Sequence, residues 1–499
     1  MIRIINSKPD KMKQISSIFL LAAISIMISC QPKTINTEWQ TIFNGENLDG
    51  WKKATENLES ISVEDGAIKC SGERSHLFYE GEFKNFEFET EVKTLEHSNS
   101  GIFICSKYQK DGWPSQGYEI QVNNSYRGSE KNPERRKTAS IYNVRNIYFP
   151  LATDNEWFKM RIKVVENFVE IFVNDIKVNE YVQPENPWRW EGGENCRLGT
   201  GTFALQAHDP GSTTYFRNIK VRNLPAGEKL KPADENWDST VTKLMKSGFP
   251  LVDYHVHLKG TLTIDSILQN SQKLGINYGV APNCGLHFPV TNDSTLYAYM
   301  EVVKGSPTFK GMQAEGREWV TLFSPEAVAK FDYVFTDAMT FTDSKGRRNR
   351  IWIPEEVWVD DKQQFMDQMV GKIEAIFSQE PVDIYVNPTV LPAQLMDDYD
   401  ALWTKERMEK VIKVLADNNI ALEINARYKV PKAEMIKMAK EAGVKFSFGT
   451  NNTGNDLGKL EYCIQMIEEC GLTPNDMFEI KPDSLKPVNV KGLPAKITG

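Results

Sequence analysis

The chain lacks any CxxC pair. Its seven cysteines are scattered over 499 residues, which excludes zinc-ribbon and thioredoxin-like chemistry. The six that follow Cys30 read as buried free thiols. An excess of positive charge is also missing: 59 Lys and Arg stand against 67 Asp and Glu, a net charge of −8. A nucleic-acid partner therefore has no electrostatic support over the whole chain. Histidine is scarce, with six residues. The apolar run from Ile15 to Ile28 is shorter than the roughly 20 residues that a membrane-crossing helix needs. No short internal repeat is evident.

What is present is an ordinary globular composition, 40% hydrophobic and 25% charged, in a chain long enough for two domains. Near the N-terminus Lys8, Lys11 and Lys13 precede that apolar run, and Ser29 and Cys30 follow it. A basic region, a short apolar region and a small residue before cysteine describe a lipoprotein signal over residues 1–30. Cys30 would be lipidated, and a lipid anchor would hold the protein to a membrane of the bacterial cell envelope, on its periplasmic or cell-surface side. Met12 is an alternative initiator.

The hydrophobic period divides the rest. Over residues 38–223, segments such as Phe86-Glu87-Phe88-Glu89-Thr90-Glu91-Val92 and Lys159-Met160-Arg161-Ile162-Lys163-Val164 alternate apolar and polar residues. Asn174-Asp175 separates two such runs as a hairpin tip. Many short alternating strands predict an antiparallel sandwich or jelly roll. Residues 224–248, polar with early Pro and Gly, read as a linker. Over residues 249–485, short apolar strands alternate with helical stretches of 10–15 residues, which predicts a parallel α/β barrel; residues 486–499 form a tail.

In the first half, Glu119, Gln121 and Asn123 share one face of a strand, and Gln206 and His208 share one face of another. Carboxylates and amides in such rows suit sugar hydroxyls. In order along residues 38–223 come Thr41 to Trp51 (TIFNGENLDGW), Asn99 to Phe103 (NSGIF), Gly117 to Asn123 (GYEIQVN), Ala139 to Tyr142 (ASIY), Glu156-Trp157, Leu205 to His208 (LQAH) and Phe216 to Ile219 (FRNI). This series resembles the 3-keto-disaccharide hydrolase family, a concanavalin-A-like jelly roll. The resemblance implies cleavage of glycosides oxidised at C3, by abstraction of the acidified C2 proton, elimination of the C1 substituent and addition of water. It points to Glu119 or His208 as base and to Gln121, Asn123, Gln206, Lys107 and Tyr142 as substrate-binding groups. The chain departs from the family where Cys105 and Asn123 stand in place of Arg and Asp. No ExDxxE strand is found, so ordinary retaining glucanase chemistry is unsupported.

In the second half, Asp253 to His257 (DYHVH) ends a strand with both imidazoles on one side, as barrel metallohydrolases supply their first ligands. Together with Gly311 to Gly316, Phe331 to Val334, Val382 to Pro388, Leu422 to Asn425 and Gly443 to Asn452, it resembles the polymerase-and-histidinol-phosphatase (PHP) barrel. Asn387, Asn451 and Thr453 stand where the family has His and Asp, and the resemblance then leaves His255, His257 and Glu315, with Asp337 or His287, for one divalent ion, zinc or manganese, or else a metal-free descendant. The basic stretch Lys345 to Arg350 reads as a solvated loop, and Glu423, Asn425 and Arg427 as residues of the barrel mouth or of structural ion pairs.

The expectation is an exported carbohydrate-processing lipoprotein whose jelly roll acts on 3-keto-glycosides beside a reduced barrel. Two readings compete with it: a sugar-binding module attached to a metal-dependent barrel hydrolase, and a non-catalytic glycan-binding surface protein.

Overall fold

The computed structural model describes residues 36–495; the signal segment and Cys30 lie outside the described residues. Residues 40–223 form two antiparallel sheets packed face to face. One runs in the order Ile176–Val182, Phe168–Val173, Phe158–Val165, Phe86–Thr94, Thr213–Asn223, Ala67–Ser71 and Ile61–Glu64, with Gln40–Thr41 also paired to Thr213–Asn223. The other runs Trp51–Lys53, Ser75–Tyr79, Thr202–Ala207, Asn99–Ser106 and Tyr118–Asn123. Alternation in sequence becomes alternation in burial: Phe86, Phe88, Val92, Met160 and Ile162 point into the sandwich, where they meet Ile102, Ile120, Val122, Phe203 and Leu205. Phe203 packs edge-on to Phe86 at 5.0 Å and tilted against Phe88 at 4.7 Å, geometries that aromatic quadrupoles favour. At the hairpin tip both Asn174 and Asp175 have positive φ, 48° and 66°, as a two-residue turn that follows the strand twist requires.

The second half is a closed parallel barrel. Its staves, in spatial order, are Val252–Val256, Asn277–Val280, Phe309–Ala314, Tyr333–Thr336, Ile384–Tyr385, Ala421–Asn425 and Phe446–Gly449, and the last pairs back to the first. Helices Ile264–Leu274, Lys362–Gln379, Lys405–Asp417, Ala433–Glu441 and Glu461–Glu469 present apolar faces to it. Among the described residues no helix is long and apolar enough to cross a membrane, and Cys70, Cys105, Cys196, Cys284, Cys463 and Cys470 are free.

The expected linker requires correction. Its second half is the helix Glu235–Lys246, capped by the Asp234 side chain on the backbone N–H groups of Asn236 and Trp237. Val241, Thr242 and Met245 make a buried stripe, a helical period that the polar composition masks. The helix docks on the sandwich through a buried ion pair between Arg145 and Asp238. Asn146 donates from Nδ2 to the Met245 carbonyl at 3.2 Å, and the Tyr148 hydroxyl donates to the Phe249 carbonyl at 2.9 Å. Phe149 meets Phe309 of the barrel edge-on at 5.5 Å. One hydrophobic cluster runs from the sandwich core into Tyr254, Phe309, Tyr333 and Phe478, so the two halves are welded rather than strung.

Candidate functional site

The five-stranded sheet carries a cavity of about 480 Å³ on one face. Antiparallel register brings its polar residues together: Gly101 lies opposite Gln121 and Phe103 opposite Glu119, while His76 lies opposite Gln206. Gly101 has a steric task here. A Cβ at that position would meet Glu119 Oε1 at 2.5 Å, so only glycine leaves room for the carboxylate to lie across the strand.

Glu119 Oε1 accepts a hydrogen bond from Gln206 Nε2 at 3.0 Å. Burial pushes the Glu119 carboxyl up to about 7, against the opposing pull of that bond. Gln121 Nε2 donates to Asn99 Oδ1, and Asn99 Nδ2 lies 3.1 Å from His208 Nε2. His208 Nδ1 is 2.7 Å from Asp209 Oδ2, which also accepts from the Ser212 hydroxyl at 2.8 Å. The remaining amide oxygens, Oε1 of Gln121 and of Gln206, are buried with no partner. Unfilled buried acceptors are costly; hydroxyl donors of a polar ligand would fill them.

The rings of Trp113 and Trp190 wall the cavity. Trp113 is 45% exposed and leans over His208 at 5.3 Å between ring centroids. An exposed indole beside unfilled acceptors is the pairing a sugar uses, apolar C–H face on the ring and hydroxyls on the amides. Beneath Trp113, at 5.7 Å, sits His76, fully buried, with neither ring nitrogen bonded and its pKa lowered to about 4 by burial; it stays neutral. Tyr142 lines the cavity with its hydroxyl donating to Glu134 Oε2 at 3.3 Å, and burial raises its pKa.

Five residues expected from sequence, Glu119, Gln121, Tyr142, Gln206 and His208, thus converge. Two others do not. Lys107 is exposed and lies outside the cavity wall. Asn123 is fully buried and donates from Nδ2 to the carbonyls of Tyr126 and Arg136; it braces a loop instead of facing a ligand. Cys105, at φ 53°, is buried in the sandwich core. Sequence reasoning missed Asn99, Gly101, Trp113, Trp190 and Lys246. The Gly112-Trp113-Pro114 run, an aromatic between two turn residues, is the one local signal that pointed to a presented ring.

The second polar cluster is at the C-terminal ends of the barrel strands, where barrel chemistry resides. His255 Nδ1 is 2.6 Å from Glu423 Oε1. Glu423 Oε2 accepts from the Asn387 backbone N–H at 2.6 Å and from Asn425 Nδ2 at 2.9 Å. Asn387 Oδ1 accepts from Asn425 and Asn451, and its Nδ2 donates to Asp337 Oδ2 at 3.3 Å. His257 Nδ1 donates to the Ala281 carbonyl at 2.8 Å, and Glu315 Oε1 accepts from Asn283 at 2.8 Å. Burial and the nearby Asp337 charge hold the Glu315 carboxyl well above its usual range. Arg427 donates to the Asn451 carbonyl at 3.2 Å.

Nε2 of His255 and of His257 are buried and unpartnered, the state in which imidazole accepts a metal. Two imidazoles fall short of the three protein donors that zinc sites use. Among the described residues no group of three or more His, Cys, Asp and Glu is arranged to hold an ion. His287, the alternative ligand, is exposed on a loop. Three of the four cations in the basic stretch are paired: Arg347 with Asp343 and Asp360, Lys345 with Asp360, and Arg350 with Glu356.

Residues 38–222 match the family model for a 3-keto-alpha-glucoside-1,2-lyase-like domain. No curated protein matches the chain. Among solved structures, a candidate glycosyl hydrolase from Parabacteroides distasonis is 24% identical, with a TM-score of 0.34, covering 38% of this chain and 94% of that one. A second structure of that description and organism is 26% identical at a TM-score of 0.31, over 38% and 100% of the two chains. A carbohydrate-binding module from Bacillus subtilis is 12% identical at 0.24, over 35% and 96%. The first half is a β-sandwich that matches this family model, and a seven-stranded parallel barrel follows it.

Proposed function

We propose that the jelly-roll cavity cleaves glycosides whose sugar carries a ketone at C3, with Glu119 as the base. The ketone acidifies the C2–H bond. Glu119 takes that proton, the electron pair forms the C1–C2 double bond, and the C1–O bond breaks to release the aglycone oxygen. That oxygen takes up a proton to leave as an alcohol, and water then adds across the double bond to give the free 3-keto sugar. His208, its Nδ1 held by Asp209 and its Nε2 beside Asn99, lines the same cavity.

The observation that carries this reading is the Glu119 carboxyl, pushed to about 7 in a cavity with unfilled acceptors. A base with a pKa near the working pH combines availability with strength. Gln206 fixes its orientation through Oε1, and Gly101 clears its space. Of the two bases expected from sequence, His208 has both ring nitrogens engaged, which favours Glu119. The amide oxygens of Gln121 and Gln206 hold sugar hydroxyls, and Trp113 and Trp190 hold its faces. The lipoprotein-like pattern that ends at Cys30 supports a reaction in the cell envelope.

The test is turnover of a 3-keto-glucoside by the full chain in deuterated water. Aglycone release with deuterium at C2 of the product supports the mechanism. Binding without release, or release with C2 unlabelled, overturns it.

A further inference from the structure

The cavity has a member from outside the jelly roll. Lys246, the last residue of the helix Glu235–Lys246, lines it with Glu119, Tyr142, Trp190, Gln206 and His208. Its ammonium lies 4.7 Å from the centre of the Trp190 ring. The nearby Arg136 rides on the Tyr142 ring at 4.2 Å and has its charge answered by Glu134 at 2.9 Å. Lys246 has no such answer: its recorded contact is the indole, and no ion pair to it forms among the described residues.

The Lys246 side chain is exposed at the cavity, but the backbone that carries it is held. On the preceding residue, the Met245 carbonyl accepts from Asn146, and three residues on the Phe249 carbonyl accepts from Tyr148. Asp238, on the same helix, is locked to Arg145. The backbone that carries Lys246 is therefore pinned to the sandwich on both sides. Burial and the Arg136 charge both work against its ammonium and lower its pKa. An exposed cation on a held backbone, at the edge of a cavity and supplied with a π face but no counter-ion, can receive an anion there.

We infer that the cavity takes glycosides bearing an anionic substituent, a carboxylate or a sulfate ester, and that Lys246 is the residue that selects them. The inference rests on the reading of the cavity as a glycoside site and adds its substrate class. It also explains why the helix is welded to the sandwich: the site is complete only when the connecting segment is docked.

The experiment compares kcat/KM of the full chain on a 3-keto-glucuronide, a 6-sulfated 3-keto-glucoside and the neutral 3-keto-glucoside, all with one aglycone. The wild type should prefer one or both anionic substrates, and the favoured arm identifies carboxylate or sulfate. Lys246→Gln should cut the anionic-to-neutral ratio about tenfold or more, mainly through KM, as loss of a charge-assisted hydrogen bond does. Lys246→Arg should keep the preference, and raised salt should erode it in the wild type. A ratio that stays within about twofold in Lys246→Gln, or a wild type that prefers the neutral sugar, overturns the inference. If the wild type turns over none of the three, the cleavage reading fails while this one is still decided by calorimetry with glucuronide and glucoside: binding of the anion lost in Lys246→Gln sustains it, and equal binding in both proteins overturns it.

Discussion

Both halves of the molecule gather amides, carboxylates and histidines on a sheet, one on its face and the other at its strand ends, yet the two clusters differ in where their hydrogen bonds go. In the sandwich, Gln121 and Gln206 spend their amide N–H groups on Asn99 and Glu119 and leave their oxygens unfilled beside an open cavity. In the barrel, Asn387, Asn425 and Asn451 satisfy one another and close over Glu423 and Asp337. The first arrangement asks for a ligand. The second is largely its own ligand, apart from two imidazole nitrogens. Residue type alone does not separate them; the direction in which the last free donor or acceptor points does.

Substitution at Glu119 should break the comparison most sharply. Glu119→Gln keeps the shape and the Gln206 contact but removes the base, and kcat should fall about 10²- to 10⁴-fold. His255→Ala, on the barrel side, should leave glycoside turnover within about twofold of the wild type. A large loss from the barrel variant and none from Glu119→Gln would exchange the roles of the two clusters.

The weld between the halves comes next in size. Arg145 and Asp238 are buried, and a buried charge left without its partner costs about 3–5 kcal/mol. Arg145→Ala should lower stability by that amount in urea unfolding and blur a single transition into two as the halves part. A change below about 1 kcal/mol with one transition retained would show that the apolar cluster alone joins them.

pH acts on the sandwich site in two opposed ways. The Glu119 carboxyl is raised from 4.5 to about 7, so the folded state binds its proton more tightly than the unfolded one. Activity, which needs the carboxylate, should rise about tenfold per pH unit up to about 7 and then level. Stability from this group runs the other way: it is fully present below 4.5 and is lost as pH rises through about 7. In Glu119→Gln both trends should vanish. An activity profile flat from pH 5 to 8 would remove Glu119 as the base.

Much of this contrast was legible before any coordinates. Alternation in Phe86–Thr94 fixed which residues face the core, and Asn174-Asp175 marked its hairpin. The same period placed Glu119 with Gln121 and Gln206 with His208, because a strand has only two faces. Which strands lie side by side is a long-range fact, so the approach of Asn99 and the clearance given by Gly101 stayed hidden. Asn123 shows the limit of face assignment: it shares the face of Glu119, but at the strand end the chain folds back over it and takes its amide. Lys246 was lost for another reason. Early Pro and Gly in residues 224–248 hid the stripe of Val241, Thr242 and Met245, and a segment read as a tether conceals any site it helps to build.

The smallest effect is expected from metal, and it tests the barrel side of the contrast. Nε2 of His255 and His257 is open to an ion, but Glu423 holds the first imidazole through Nδ1 and is itself held by Asn387 and Asn425. Glu315 is bonded by Asn283 and Asp337 by Asn387. Among the described residues neither carboxylate is arranged with the two imidazoles to hold an ion, and amides that replace ligands bring no charge to make up the difference. Zinc or manganese at micromolar concentration should therefore shift Tm by less than about 1 °C, against the 2–4 °C that roughly 1 kcal/mol of linked binding gives a domain of this size. A larger shift, abolished by His257→Ala, would mean that the amide network opens and that the barrel holds a working site of its own.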